Sequence, residues 1–351
     1  MKVLFCNRRD AFSRPGGDTM QMVKTAEFLK KLNIQVDICL SIHSFDFREY
    51  DLIHVFNTYR PFETFNYIRK AKDNNKKVAL SSIYWDFSDF IKLHNFYYLK
   101  WKFEKTKDFY RIIRDNVSID NSFFDFLMTD YRTFIKTNVD FILPNSLSEW
   151  HLFNIEFDKE FSGSIVYNAI DSNLFNLKNF KNKSRNGIFG IFRVDPRKNL
   201  LNLSFAVQEI QLINSFNHYG NCNNLSIKNK ALEITNKINF HGPINNNILP
   251  SICRNYSVHV LPSYVETPGL VQLEAAACGC TLVSTSKGST KEYLKDYAYY
   301  IDPINTNSIK YGIETAIKNP VNPKIISSYI LDNFTWDISA KQTLNAYELY
   351  G

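Results

Sequence analysis

A short apolar run, a polar loop, an amphipathic segment and another apolar run follow one another, and the pattern occurs twice along the chain. KVLFC (Lys2 to Cys6) leads through a loop holding Gly16-Gly17 into TMQMVKTAEFLKKL (Thr19 to Leu32) and then QVDICL (Gln35 to Leu40). DLIHVFN (Asp51 to Asn57), KVALSS (Lys77 to Ser82), DFILPNS (Asp140 to Ser146) and GSIVYNAID (Gly163 to Asp171) read as further strands. Strands alternating with helices call for a parallel sheet flanked by helices. From Asn173 to Asn186 the sequence turns to Asn and Lys, as a linker would, and the pattern restarts. GIFGIF (Gly187 to Phe192), KINFHG (Lys237 to Gly242), SVHVLPS (Ser257 to Ser263), TLVSTS (Thr281 to Ser286) and AYYID (Ala298 to Asp302) are the strands expected of the second half. A length of 351 residues agrees with two domains. The Asn-rich stretch Asn217 to Asn229 reads as loop.

Two doubly wound sheets bind ligands beyond the carboxyl ends of their strands, so the chemistry is expected there, in a cleft where two such domains face each other. The charge balance, 42 Lys and Arg against 35 Asp and Glu, gives +7. That suits a phosphate-bearing ligand or an anionic membrane surface, while the dense cationic blocks of a nucleic-acid binder are missing. The most basic run, Lys100 to Arg114, interleaves aromatics with cations. It reads either as a solvated helix with a buried aromatic face or as a surface for lipid headgroups or a lipid-linked substrate. Six cysteines lack paired zinc-site spacing, the N-terminus lacks a signal-peptide pattern, and no apolar run is long enough to span a membrane. A cytoplasmic protein with free thiols is the expectation, peripheral on the inner face of the cell membrane if the basic run touches lipid.

Gly16 and Gly17 either make a turn or bring backbone amides to a phosphate or sugar; a third glycine and the tight strand-to-helix spacing of the dinucleotide fingerprint are lacking. Arg193 ends the strand GIFGIF and Lys198 follows five positions later, where a helix begins near Asn199. A fork-shaped cation and a point charge at a strand's carboxyl end suit a diphosphate. In VETPGLVQLEAAACGC (Val265 to Cys280), Glu266 lies in a loop, Thr267 is placed to cap and Pro268 to open a helix whose free amides begin near Gly269. Glu266 on its own reads as a carboxylate complementing the helix dipole. Glu274 sits on a helix apolar on most sides, where an unpartnered charge is costly, so paired ligand hydroxyls or a protein partner are required for it.

Glu266 and Glu274 together resemble the E-x7-E motif of GT-B glycosyltransferases of family 4. RVDPRKN (Arg193 to Asn199) resembles that family's diphosphate site, NFHG (Asn239 to Gly242) its base-side loop, VYNAID with Phe175 its interdomain segment, SRPGGD (Ser13 to Asp18) its Gly-Gly turn and NFTWD (Asn333 to Asp337) the start of its last helix. The resemblance implies a GT-B fold: an N-terminal acceptor-side domain over 1–175, a nucleotide-sugar domain over 176–333, and a helix over 334–351 returning to the first. It implies Glu274 on the ribose, Arg193 and Lys198 on the diphosphate and Glu266 at the transferred sugar. Gly17, Phe240, Gly242, Thr267, Gly269, Leu270 and Val271 would line the donor. The reaction would retain anomeric configuration and need no cofactor and no obligatory metal. Partners would be a nucleotide-sugar and a glycan or lipid-linked glycan acceptor, in the synthesis of cell-surface polysaccharide.

Three departures accompany the resemblance. Pro268 stands where an aromatic is common, Phe192 where a glycine usually precedes Arg193, and Ile83-Tyr84-Trp85-Asp86 where many members carry a histidine. Asp86 or Tyr84 is then the candidate polar group on the reaction face, with Trp85 beside them. His54 reads either as a cleft residue at a strand end or as a satisfied core histidine. Two other readings stand beside the enzyme: a donor-binding, non-catalytic partner in a glycosylation complex, and a GT-B sugar-nucleotide epimerase.

Overall fold

The computed structural model describes residues 1–87, 90, 121–178, 185–245 and 247–351. The basic run Lys100 to Arg114 therefore lies outside the described residues, as do 179–184 of the polar interval. The chain divides into two compact units, Met1–Asn168 with Trp336–Gly351, and Ala169–Thr335.

In the first unit the elements are β1 (Lys2–Cys6), α1 (Gly17–Lys31), β2 (Gln35–Cys39), β3 (Leu52–Phe56), α2 (Pro61–Asp73), β4 (Lys77–Ser81), α3 (Asn121–Met128), α4 (Tyr131–Asn138), β5 (Phe141–Ile142) and α5 (Leu147–Phe157). Its strands pair in parallel in the order β2-β1-β3-β4-β5. The chain therefore reverses direction across the sheet between β1 and β3. This is the doubly wound order whose ligand site lies at that reversal. β3 is buried along its whole length, as expected of a central strand with both faces covered. One core joins Leu4, Ile53, Val55, Val78 and Leu80 of the sheet to Tyr67, Ile68, Ile135 and Phe153 of the helices.

The second unit contains β6 (Ile188–Ile191), α6 (Leu200–Glu209), β7 (Phe216–Tyr219), α7 (Leu225–Ile234), β8 (Ile238–Phe240), α8 (Leu249–Asn255), β9 (Val258–Leu261), α9 (Leu270–Ala277), β10 (Thr281–Thr285), α10 (Thr290–Leu294), β11 (Ala298–Ile301), α11 (Thr306–Lys318) and α12 (Pro323–Asn333). Its order, β11-β10-β9-β6-β7-β8, is parallel throughout and reverses between β6 and β9. That is the strand order of the dinucleotide-binding fold without its glycine fingerprint. Val207, Phe216, Val260, Val283 and Ile313 meet in its core. The last helix, α13 (Trp336–Tyr350), belongs to the first unit and packs against α1.

Two expectations fail. Residues 163–171 do not form a strand. Ser164 and Val166 donate to the carbonyls of Ile142 and Pro144 beside β5, and only isolated bridges at Gly163 and Ile170 remain. β7 runs into the stretch read as loop, Asn217 to Asn229. Its sequence, FNHY, buries Phe216 and His218 on one side, so alternation holds although Asn and His are poor strand formers.

His54 also departs from the cleft reading. It sits in the middle of β3, paired with Ala79, not at a strand end. It is buried, with Nδ1 2.6 Å from the hydroxyl of Tyr347 on α13 and Nε2 2.9 Å from that of Ser81. Burial pushes its pKa down to about 3, so the ring is neutral. It ties the last helix to the sheet of its own unit.

Candidate functional site

The second unit's reversal point is flanked by the loops leaving β6 and β9. After β6, Val194 donates to the carbonyl of Asn221 (2.8 Å), and Asp195 Oδ1 accepts from the amides of Arg197 (3.0 Å) and Lys198 (3.3 Å), closing a tight turn. Asn199 ends the turn at φ 60°, a left-handed conformation that asparagine tolerates. Its buried Nδ2 donates to the carbonyls of Pro262 (3.0 Å) and Pro303 (2.6 Å). The amide of Tyr264 donates to Arg197 O (2.9 Å). The exits of β6, β9 and β11 are thus bonded together, which fixes where Lys198 stands.

On the β9 side, Glu266 is gripped by its backbone. Its amide donates to Lys287 O (3.3 Å) and its carbonyl accepts from Ser289 N (3.0 Å). Its side chain, 7% exposed, accepts a charge-assisted hydrogen bond from Lys198 Nζ. Arg193 is exposed, and among the described residues its guanidinium has no partner. One cation of the sequence-predicted diphosphate site is therefore open to solvent, while the other is held by a carboxylate across the reversal point.

The helix after Glu266 starts later than expected. Thr267 is not its cap and Pro268 is not its first residue. Gly269, at φ 80°, is the N-cap and makes no side-chain cap bond. A left-handed residue cannot continue a helical run, so α9 opens at Leu270. The first amides of α9, from Leu270 and Val271, lack intrahelical partners. Gln272 is buried and bonded to Val283 O (3.1 Å) and Ser284 Oγ (2.8 Å), which anchors this end of the helix on β10.

Glu274 lies one turn further along. Among the described residues its carboxylate has no hydrogen-bond or ion-pair partner. Burial pushes its pKa up to about 7. The two glutamates are thus in opposite states, one neutralised by a lysine and one left with a raised affinity for its proton.

The base-side candidates lie at the far end of the same sheet. Phe240 closes β8 and packs on the core, with Lys228 Nζ 5.1 Å from its ring centroid. Gly242, at φ 77°, has open space where a side chain would point. Next to them Tyr219 and His241 stack at 4.6 Å with an interplanar angle of 16°.

In the first unit, Gly17 begins α1 and is exposed, with nothing within 4 Å of the place a Cβ would take. The loop before it is built on Arg8, whose Nε donates to Asp18 Oδ2 (2.7 Å) and whose Nη1 donates to Asp10 Oδ1 (2.8 Å). Asn57, at the exit of β3, donates to Asp18 (3.3 Å), so this network spans the reversal point of the first sheet. Tyr84, Trp85 and Asp86 follow β4 and line one pocket with Tyr59, Arg132 and Glu156.

Several residues of the second site were not singled out from the sequence. Gly288 touches the backbone of Glu266, and Ser263 and Ser289 are buried hydroxyls without partners among the described residues. His259 is buried on β9 with neither ring nitrogen bonded among the described residues, its pKa pushed down to about 3 by burial and by the charge of Lys198. The apolar run around His259 signalled a buried strand, but nothing local in sequence signalled the lysine near it. Among the described residues no group of three or more His, Cys, Asp or Glu could hold a metal ion, and no helix is long and apolar enough to cross a membrane.

Comparison with known proteins places the second unit beside a family of known sequence pattern. Residues 175–330 match the family Glycosyl transferases group 1. An uncharacterized glycosyltransferase of Methanocaldococcus jannaschii is 29% identical over 112 residues, 30% of this chain and 29% of that protein. The O-antigen chain mannosyltransferase B of Escherichia coli is 30% identical over 104 residues, 29% of this chain and 27% of that protein. The chain thus spans less than a third of the length of these curated relatives. Among solved structures, sucrose-phosphate synthase from Thermosynechococcus elongatus superposes with a TM-score of 0.72 at 14% identity, covering 99% of this chain and 98% of the other. Anabaena HepE in complex with UDP and glucose superposes at 0.67 and 16% identity, covering 99% and 100%. Residues 175–330 are thus similar to the glycosyl transferases group 1 family, in a chain whose two parallel-sheet units have the GT-B fold.

Proposed function

We propose that the protein is a retaining glycosyltransferase that moves a hexose or N-acetylhexosamine from a nucleoside-diphosphate sugar to a glycan or lipid-linked glycan in cell-surface polysaccharide synthesis. The observation that carries this reading is the Lys198–Glu266 pair across the β6/β9 reversal point, with the open guanidinium of Arg193 on the same β6 exit loop. A diphosphate brought to that point meets a fork-shaped cation, a point charge and the first amides of α9, a set suited to an anion. As the bond to the sugar breaks, negative charge grows on the leaving diphosphate. Arg193 and Lys198 then stabilise the transition state more than the ground state. Glu266, released as Lys198 turns to phosphate, accepts hydrogen bonds from the donor sugar, and Glu274 accepts from the ribose hydroxyls. No metal or cofactor enters this scheme.

The relatives support this reading by their names, one as an O-antigen chain mannosyltransferase and one as a protein solved with UDP and glucose. The test is a thermal-shift panel of UDP-, GDP- and ADP-sugars, followed by NMR of the product from the stabilising donor. One donor should raise the melting temperature, and its anomeric configuration should be kept in the product. Inverted product, or an altered sugar released without any acceptor, would overturn the reading, the second in favour of an epimerase.

A further inference from the structure

We infer that Cys6 and Cys39 are a dithiol modification site, at which a hydroperoxide forms a disulfide joining β1 to β2. This goes beyond the transfer reaction and does not depend on it. The two residues face each other in the register of the parallel pair β1/β2. Such partners stand about 4.8 Å apart with side chains on the same face, within the separation of about 4.4–6.8 Å between Cα atoms that a disulfide spans. Both side chains enter one core with Phe47, Tyr50 and Tyr67, and the two thiols are hydrogen-bonded to each other.

The two sulfurs are not equivalent. Hydrogen bonds from Cys6 and from the backbone of Ser41, the charge of Lys70 and the hydroxyl of Tyr67 hold the Cys39 thiol below its ordinary pKa in spite of burial. Burial pushes the Cys6 thiol well up. Lys70 is kept beside the pair by donating to the carbonyls of Ile42 and Phe45, the second at 3.0 Å. As a thiol, Cys39 Sγ also donates to Ser41 O (3.0 Å), a bond given up when the sulfur ionises. The sulfur that ionises more readily is the one that attacks, and its neighbour resolves the product.

Neither sulfur is exposed, so the position of the pair in the sheet decides whether an oxidant reaches it. β2 is the edge strand of its sheet and Cys39 is the last residue of that strand. Opening the end of an edge strand uncovers the sulfur while the rest of the unit stays folded, and such local openings cost less than global unfolding. The thiolate of Cys39 then attacks one peroxide oxygen. The O–O bond breaks, leaving a sulfenic acid on Cys39 and a hydroxide that takes up the thiol's proton as water. Cys6 attacks the sulfenic sulfur, the S–S bond forms, and the hydroxyl leaves with the proton of Cys6 as a second water. Two thiols lose two electrons and the peroxide gains them.

The experiment treats the folded full chain with hydrogen peroxide, alkylates the remaining thiols in denaturant under acid quench, and maps the peptides without reduction. The expected result is a linked peptide pair holding Cys6 and Cys39, lighter by two hydrogens and separated by dithiothreitol. In Cys6→Ala the reaction should stop at the sulfenic acid, so that Cys39 is captured by dimedone, whereas in Cys39→Ala the residue Cys6 should be recovered as a thiol. Cys222, which is exposed, reports that the peroxide dose suffices. Recovery of both Cys6 and Cys39 as thiols at a dose that oxidises Cys222 would overturn the assignment. So would a link between Cys253 and Cys278, which are also hydrogen-bonded to each other, in place of the expected one, or the absence of a dimedone adduct on Cys39 in folded Cys6→Ala. The wild-type map needs no substitution, so a variant that fails to fold leaves the test decisive.

Discussion

Lys198 Nζ and Glu266 Oε1 are bonded to each other across the point where the second sheet reverses its strand order. Each is placed by bonds beyond the pair, Lys198 by the Asp195 turn and the Asn199 side chain that ties it to Pro262 and Pro303, Glu266 by its backbone bonds to Lys287 and Ser289. The pair is therefore preorganised and does not depend on the chance meeting of two long side chains.

Lys198→Ala should lower turnover by about 10²- to 10³-fold, the usual consequence of removing one preorganised donor from a developing charge. It also strands a carboxylate that is 7% exposed, so a stability loss of roughly 1–3 kcal/mol is expected, moderated because Lys198 is itself 20% exposed. Glu266→Gln keeps an acceptor for the lysine and should cost under about 1 kcal/mol. It leaves Lys198 less tightly held, so the nucleoside diphosphate of the stabilising donor should bind more tightly on its own while transfer falls. Calorimetric titration of that nucleoside diphosphate and a steady-state assay on both variants check this. Equal loss of nucleotide affinity in the two variants would show that Lys198 does not meet the diphosphate.

Glu274 predicts a pH dependence. Its folded pKa, about 7, is raised above the ordinary 4.5 by burial. Between those values the folded protein binds more protons than the unfolded chain, so stability falls as pH rises and the penalty is complete above about pH 7. Glu149 titrates in the same range, also raised to about 7 by burial, so the wild-type curve mixes the two. The difference between wild type and Glu274→Gln isolates one: the variant should be the more stable at about pH 8, with the gap closing toward pH 5. Nucleotide binding runs the other way if ribose hydroxyls donate to the ionised form. It should then weaken about tenfold per pH unit below 7 in wild type and lose that slope in the variant. A flat wild-type slope would remove Glu274 from the nucleotide site.

What the sequence made legible follows from how local each signal is. Most strands announced themselves by apolar runs, and Arg193 and Lys198 by their place at a strand's carboxyl end, whereas Glu266 stood out through the family resemblance. β7 was hidden because its buried positions are Phe216 and His218, and the intervening Asn217 reads as turn. The start of α9 was misplaced because Thr-Pro is a sound helix opening by composition, and only the left-handed Gly269 cancels it. His54 carried a polar side chain in an apolar strand, which signals either a site or a buried pair. Its partner Tyr347 lies 293 positions away, where no local pattern reaches.

Asn199 predicts a coupling between stability and binding. It is buried, at φ 60°, and its amide nitrogen satisfies two carbonyls, Pro262 O and Pro303 O. Asn199→Ala loses both bonds and the left-handed tolerance, and should cost about 2–4 kcal/mol. Asn199→Gly keeps the backbone freedom and loses only the bonds, so it should recover about 1 kcal/mol of that. Chemical denaturation of the two variants separates the terms. Both should bind donor more weakly than wild type, because the β6 and β9 exits are no longer tied together.

Gly288 tests whether the backbone, and not only the lysine, holds Glu266. A Cβ at this position would lie 2.0 Å from the carbonyl oxygen of Glu266, and the residue has φ 102°, where side chains are disfavoured. Neither problem can be relieved by a rotamer change, since the obstacle is main chain. Gly288→Ala should therefore push the β10 exit away from Glu266, breaking the bonds from Glu266 N to Lys287 O and from Ser289 N to Glu266 O. The direct cost of the left-handed conformation and of two lost hydrogen bonds is about 2–4 kcal/mol. The more specific readout is hydrogen exchange. Peptides covering 262–269 and 286–289 should exchange faster, while those covering β6 stay protected, and transfer should fall with the Lys198 side chain intact. Unchanged exchange in both segments would mean that Lys198 alone positions the carboxylate, and that Glu266 reaches the donor sugar without support from its own loop.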